Sequence, residues 1–241
     1  MIQLYQLDSS YSFPPIDSAL TEPNGLLAFG GDLSVGRLAV AYQQGVFPWF
    51  SQGEPILWWS PSPRAILELN QFHCSKSLKK LINKQRYRLT LNHAFDQVID
   101  ACAQIRRKAT GYSSESENST WITPSMIKAY KQLHQFGLAS SVEVWDNEKL
   151  VGGLYGVTQG AVFCGESMFH RADNTSKLAF WGLVQHMIRN NLAFIDCQLE
   201  NPHLSSLGCK NISRPAFLKK LNDAQQLDIN RSVWQSQPIN Y

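Results

Sequence analysis

Two stretches far apart in the chain place polar groups where a buried strand is normally apolar: Gly165-Glu166-Ser167-Met168-Phe169 and Ile195-Asp196-Cys197-Gln198-Leu199. The first ends a hairpin-like pattern, with Leu150 to Val157, a turn at Gln159-Gly160, and then Ala161 to Cys164. The second leaves the apolar run Leu192-Ala193-Phe194-Ile195, and period-two alternation sets Asp196 and Gln198 on one face. A carboxylate beside a carboxamide, with Glu166 arriving from another strand, reads as a pair of strand ends that open into a site. Asp196 alone would fit a structural network tying two strands together, because a buried acid needs hydrogen-bond partners. The three groups together favour the site.

The elements that must position these groups follow from periodicity and punctuation. Ser34 caps a helix carrying Leu38, Val40 and Ala41 that stops at Gly45. Ser75 to about Lys84 reads as a short basic helix, Tyr87 to Leu91 as a strand, and His93 to about Arg107 as a helix. The polar stretch from Thr110 to Ser119 has no period and reads as a loop. Thr123 caps a helix with Pro124 in its first position, ending at Gly137. Ser140 to Trp145 alternates as a strand and turns at Asp146-Asn147. Ser176 to about Asn190 is an apolar helix, with Leu178, Trp181, Val184 and Ile188 among the residues expected to face the sheet. Pro215 to about Leu221 is a last helix before a polar tail. The first sixty-odd residues are rich in Pro, Gly and Trp and poor in long periodic elements. Most of their aromatics are expected in the core, while Trp49, just after a proline in a loop, is the one expected to project. The order of elements fits an α+β protein built on a central mixed sheet.

With 241 residues, 44% apolar and 17% charged, the chain has the make-up of an ordinary globule with a sizeable core. Its apolar runs are too short to cross a bilayer, and its start lacks the basic-then-apolar order of a signal peptide, so the expectation is a cytosolic protein without a membrane role. The five cysteines, with no C-x-x-C pair, predict reduced thiols rather than a disulfide framework or a zinc site. A formal charge of +3 is too mild to announce a nucleic-acid binder. Its distribution is more pointed: Lys76, Lys79, Lys80, Lys84, Arg86 and Arg88 stand without an acid between them, and Arg106-Arg107-Lys108 form a second cluster. The residues alone leave open a solvated helix face and a phosphate-contacting patch.

Taken together, Gly25-Leu26-Leu27-Ala28 with Gly30-Gly31-Asp32-Leu33-Ser34, Phe47-Pro48-Trp49-Phe50 with Trp58-Trp59-Ser60-Pro61, Thr120-Trp121-Ile122, the Glu166 block, Ser176-Lys177, and Asp196-Cys197-Gln198 through His203 to Ser206-Leu207-Gly208 resemble the leucyl/phenylalanyl-tRNA–protein transferase family over nearly the whole chain. The resemblance implies a bacterial cytoplasmic enzyme that moves Leu or Phe, less often Met, from aminoacyl-tRNA to the N-terminal amine of proteins beginning with Lys or Arg, which then become degradation substrates. It also implies a small N-terminal domain, set here at residues 1–64, followed over 65–241 by a domain like the Gcn5-related acetyltransferases with a central mixed sheet. The chain departs from the family where Lys76, Lys79 and Lys80 replace common arginines, where His170 replaces a common serine, and in a longer loop before Thr120.

An aminoacyl-tRNA is an activated ester, so peptide-bond formation needs a neutral amine, alignment and a stabilised oxyanion, with neither metal nor nucleotide cofactor. A protein α-amine has a pKa of about 7.7–8.0, so a strong base is unnecessary. By the resemblance Asp196 and Gln198 are the catalytic pair: the Gln198 carbonyl accepts a hydrogen bond from the attacking amine, and Asp196 orients it and offsets the developing charge. Glu166 contacts a cation, either the donor's α-ammonium or the acceptor's basic side chain. The resemblance implies an apolar pocket for the donor side chain, which Leu154, Phe163, Met168, Phe180 and Ile195 are expected to line, Met re-packing around branched or flat groups. On the same resemblance Ser167 is expected to donate to the ester carbonyl, Trp49 and Trp121 to stack on or flank the terminal adenosine, and Lys76, Lys79, Lys80 and Lys84 to hold the acceptor stem by its phosphates. The default state is a monomer.

Two rivals remain at this stage. An acetyl-CoA-dependent acetyltransferase would carry a Q/R-x-x-G-x-G/A phosphate loop; the nearest match, His134 to Ala139, begins with His and ends a helix. A non-catalytic RNA-binding protein would explain the basic helix and leave Asp196, Gln198 and Glu166 without a purpose.

Overall fold

The computed structural model describes residues 4–105 and 121–241. Arg106-Arg107-Lys108, the stretch from Thr110 to Ser119, and Thr120 lie outside the described residues. The first part of the chain holds β1 (Tyr5–Leu7), β2 (Leu26–Gly30), α1 (Val35–Gln43), β3 (Phe47–Pro48) and β4 (Leu57–Trp59). Its strands form a four-stranded sheet in the order β1-β2-β4-β3. Period-two reading missed this sheet, because its strands are two to five residues long and interrupted by Pro and Gly.

After it come β5 (Arg64–Glu68), α2 (Lys76–Lys84), β6 (Arg88–Leu91), α3 (Phe95–Ala103), α4 (Pro124–Gln135), β7 (Ala139–Asp146), β8 (Lys149–Gln159), β9 (Val162–His170), α5 (Thr175–Arg189), β10 (Phe194–Gln198), α6 (Pro202–Ser206), β11 (Lys210–Ile212), α7 (Arg214–Gln225) and β12 (Gln237–Ile239). An eight-stranded sheet runs β11-β5-β10-β9-β8-β7-β6-β12. Its neighbours are antiparallel except β9 and β10, which run parallel. The fold is thus α+β with a mixed sheet. One face of that sheet shares a core with the small sheet, α1, α3, α4 and α7, and the other packs on α2 and α5. Among the described residues no helix is long and apolar enough to cross a membrane.

The caps explain where helices start. Ser34, Ser75, Thr123 and Ser213 each accept the backbone N–H three residues on, and Pro124 and Pro215 stand in first-turn positions. Helix α3 is shorter than the His93-to-Arg107 expectation and has no side-chain cap of its own. Glu143 of β7 supplies one from the neighbouring strand, accepting the N–H groups of His93 and Ala94 at 3.3 and 3.4 Å and the hydroxyls of Thr90 and Ser141 at 2.5 Å each. Burial pushes this carboxyl above its ordinary value despite those donors.

Two other expectations need correction. Ile188 of α5 is 45% exposed, because it falls on the less buried side of the helix with Trp181 and Gln185, while Val184 and Met187 face the core. The polar tail is part of the fold: β12 closes one sheet edge by pairing with β6, with Pro238 opposite Thr90.

Candidate active site

The site stands where the parallel pair β9–β10 ends. Ladder pairing runs Phe194↔Val162, Ile195↔Phe163 and Asp196↔Cys164, so Glu166 and Gln198 each lie two residues past the last pair. Both strands bulge there against their other neighbours. On β9, Gly156↔Gly165 is followed by Tyr155↔Ser167, which leaves Glu166 as the extra residue. On β10, Asp196↔Ile66 is followed by Gln198↔Ala65, which leaves Cys197 as the extra residue. Bulges re-aim side chains and end pairing, and here two of them part the strands at one level. Gln198 follows at φ 54°, a left-handed turn uncommon for a residue with a side chain.

Glu166 is the hub. Its Oε1 accepts the Tyr42 hydroxyl at 2.7 Å and the Gln198 Nε2 amide at 3.3 Å, and its Oε2 accepts the Tyr130 hydroxyl at 3.0 Å. The two tyrosine hydroxyls lie 2.5 Å apart. Burial pushes the Glu166 carboxyl up to about 7 against the pull of the Tyr42 and Tyr130 donors. Burial, and then the nearby Glu166 carboxylate, push both phenols well above their usual value, so they remain donors.

Asp196 sits elsewhere from where alternation predicts. Its carboxylate is held by Arg64, Nε to Oδ1 at 2.8 Å and Nη2 to Oδ2 at 2.7 Å, and Oδ1 also accepts the Gln198 backbone N–H at 3.0 Å. The Asp196 carboxylate and the Gln198 carboxamide share no hydrogen bond. The extra residue at Cys197 breaks the alternation, and the turn at Gln198 gives its side-chain amide to Glu166 instead. No described residue donates to the Gln198 carbonyl oxygen. Arg64, Tyr42 and Tyr130 were missed as site residues. Arg64 starts a strand, and the tyrosines lie in ordinary amphipathic helices, so no local signal marks them.

Beside Glu166 opens a cavity of about 570 Å³. The residues expected to form an apolar pocket, Leu154, Phe163, Met168, Phe180 and Ile195, all line it. Glu166, Ser167 and Gln198 line it as well, so the fold brings together eight of the expected site residues. Asp196 does not, nor do Trp49, Trp121 or the α2 lysines. Trp49 is half-buried rather than projecting: its ring packs 5.6 Å from that of Trp59, whose Nε1 donates to the Trp49 carbonyl at 2.7 Å. Trp121 is also half-buried, against the same core as Trp49. Lys76, Lys79, Lys80 and Lys84 are exposed on α2, whose buried residue is Leu78. Cys197 lines the cavity wall with its sulfur 3.3 Å from that of Cys209.

A mixed-sheet α+β protein that gathers an acid of raised pKa and a carboxamide at the mouth of an apolar cavity is built to hold a ligand with one apolar and one polar end. Two family profiles match this chain: "Leucyl/phenylalanyl-tRNA protein transferase" over residues 66–222 and "Leucyl/phenylalanyl-tRNA protein transferase N-terminal domain" over residues 31–62. The protein called leucyl/phenylalanyl-tRNA–protein transferase in Pseudoalteromonas atlantica is 58% identical over 97% of this chain and 97% of its own. The protein of that name in Pectobacterium atrosepticum is 53% identical over 99% of this chain and 98% of its own. Among solved structures, L-PGS from Bacillus licheniformis covers 68% of this chain and 50% of its own at 12% identity and a TM-score of 0.39, a likeness too loose to bear on the fold. The chain belongs to the leucyl/phenylalanyl-tRNA–protein transferase family and is an aminoacyltransferase.

Proposed function

We propose that this protein moves Leu or Phe, and less often Met, from aminoacyl-tRNA to the N-terminal α-amine of proteins that begin with Lys or Arg, forming a peptide bond and marking them for degradation in the cytoplasm. The observation that carries this reading is the junction of the apolar cavity with Glu166 and Gln198: an apolar side chain fits the first, and an amine attacking at its mouth meets the second. The donor's Leu or Phe side chain enters among Leu154, Phe163, Met168, Phe180 and Ile195. The Gln198 carbonyl accepts a hydrogen bond from the attacking amine and aligns its lone pair on the ester carbon. As the C–N bond forms and the C–O bond to the ribose breaks, the amine's proton leaves through water or the ribose hydroxyl. Ser167 donates to the developing oxyanion.

Glu166, half ionised near neutrality, attracts a cation at the same place. Asp196 acts on the reaction through the Gln198 backbone and is a positioning residue. Trp49 and Trp121 flank the terminal adenosine, the α2 lysines bind acceptor-stem phosphates, and the protein works as a monomer. The reading includes a small domain at 1–64 and a Gcn5-related acetyltransferase-like domain at 65–241; the two sheets and the parallel β9–β10 pair support it.

The test is transfer of radiolabelled Leu from charged tRNA to a peptide with N-terminal Arg and to the same peptide acetylated. Labelling of the free amine alone is expected. Labelling of neither, with tRNA still bound, would leave an RNA-binding protein.

A further inference from the structure

We propose that Lys177, His170 and His203, on the rim of the cavity, form a phosphate subsite that takes the phosphodiester joining the donor's terminal adenosine to the preceding nucleotide. This rests on the function proposed above and adds how the donor strand is oriented.

The three side chains come from three separate elements: His170 ends β9, Lys177 lies in the first turn of α5, and His203 lies in α6. All three line the cavity. Among the described residues none of them enters an ion pair. Lys177 brings an ammonium to this rim, and the His170 and His203 rings bring N–H groups that can donate to the oxygens of an anion. Burial, and then the facing Lys177 and His170, hold the His203 imidazole below its ordinary value. A phosphate placed among them favours the charged form of that imidazole. Asn174 gives α5 no side-chain cap, and Asn174 and Ser176 line the same rim. The start of a helix of 15 residues therefore adds backbone N–H groups to the basic cluster.

The ligand class follows from the charge layout. The cavity has an acidic group, Glu166, at one side and the basic trio at another. An acceptor that begins with Lys or Arg is repelled by the trio and drawn to Glu166. A nucleic-acid strand has the opposite preference. The segment before α2 lies near the same rim: α2 packs on α5, the Phe72 ring lies 6.0 Å from that of Phe180 in the cavity wall, and the His73 N–H donates to the Leu207 carbonyl at 2.9 Å, just past α6. The segment that enters α2 thus adjoins the cavity wall and the end of α6.

The experiment compares two donors with one Arg-peptide acceptor, leucyl-tRNA and 3′-leucyl-adenosine without phosphate, over a range of KCl. It uses the full-length wild type and the Lys177→Ala, Lys177→Arg and His203→Ala variants. With Lys177→Ala, the KM rise for leucyl-tRNA is expected to exceed that for leucyl-adenosine by about tenfold, the effect of one charge-assisted hydrogen bond. The slope of log KM against log salt for the tRNA donor is expected to fall by about 0.7, one phosphate contact on a single strand. Lys177→Arg is expected to restore most of both, and His203→Ala to show the same donor selectivity in weaker form. Equal losses on both donors, or an unchanged salt slope, would overturn the subsite and leave Lys177 as a wall residue. A wild type that transfers from neither donor would instead sink the proposed function and the subsite with it.

Discussion

Arg64 grips Asp196 along one edge of its guanidinium, with Nε and Nη2 at 2.8 and 2.7 Å from the two carboxylate oxygens and both side chains 1% exposed. Arg64 also donates to the Gly45 carbonyl at 3.1 Å and lies 4.4 Å from the Phe217 ring centroid. Asp196 passes this anchoring on to the Gln198 backbone. Removing one member leaves the other buried and unpaired, so Arg64→Leu is expected to lose about 3–5 kcal/mol in urea unfolding. The Arg64→Leu/Asp196→Leu double variant should lose much less than the sum of the single changes. Additive losses would mean that the pair does not act as a unit.

Tyr42 and Tyr130 donate to the ionised form of Glu166 and so lower its pKa. Tyr42→Phe removes a donor and keeps the ring, so the Glu166 titration, followed by carboxyl-selective NMR, should move upward from about 7. A downward move would contradict the hydrogen-bond direction.

The raised Glu166 pKa has a definite sign for stability. The folded protein holds the proton up to about 7, whereas the unfolded chain releases it near the ordinary 4.5. Between those values the unfolded state binds fewer protons, so stability from this group falls as pH rises and then levels off. Glu166→Gln should flatten that part of the unfolding curve.

The rate should report the same group. If ionised Glu166 and a neutral acceptor amine of pKa about 7.7–8.0 are both needed, kcat/KM rises as the second power of hydroxide concentration well below pH 7 in the wild type and as the first power in Glu166→Gln. A second-power rise in the variant would exclude Glu166 as the titrating group.

Gly156 pairs with Gly165 beside the Glu166 bulge, and a Cβ there would stand 2.2 Å from the Cys164 carbonyl oxygen. Gly156→Ala is therefore expected to destabilise by about 1–3 kcal/mol and to lower transfer by shifting Glu166. Thermal unfolding and transfer assays on one preparation check both.

Much of the fold was legible in the chain. The capped helices after Ser34 and Thr123 and the hairpin turning at Gly160 follow from signals that act within a few residues, and the structure has them. The small sheet, β11 and β12 were not legible, because, β2 apart, their strands are two or three residues long, too short to show a period of their own. The site divides along the same line. The sequence by itself determined the unusual polar groups Glu166, Asp196 and Gln198, and the apolar residues around them, because a polar group in an apolar strand is a local anomaly. Only the tertiary structure decided what those groups touch. The bulges at Glu166 and Cys197 exist through neighbouring strands, Arg64 reaches Asp196 across 132 positions, and Tyr42 reaches Glu166 across 124. Contacts at such separations are set by sheet order and helix packing, which local spacing does not encode.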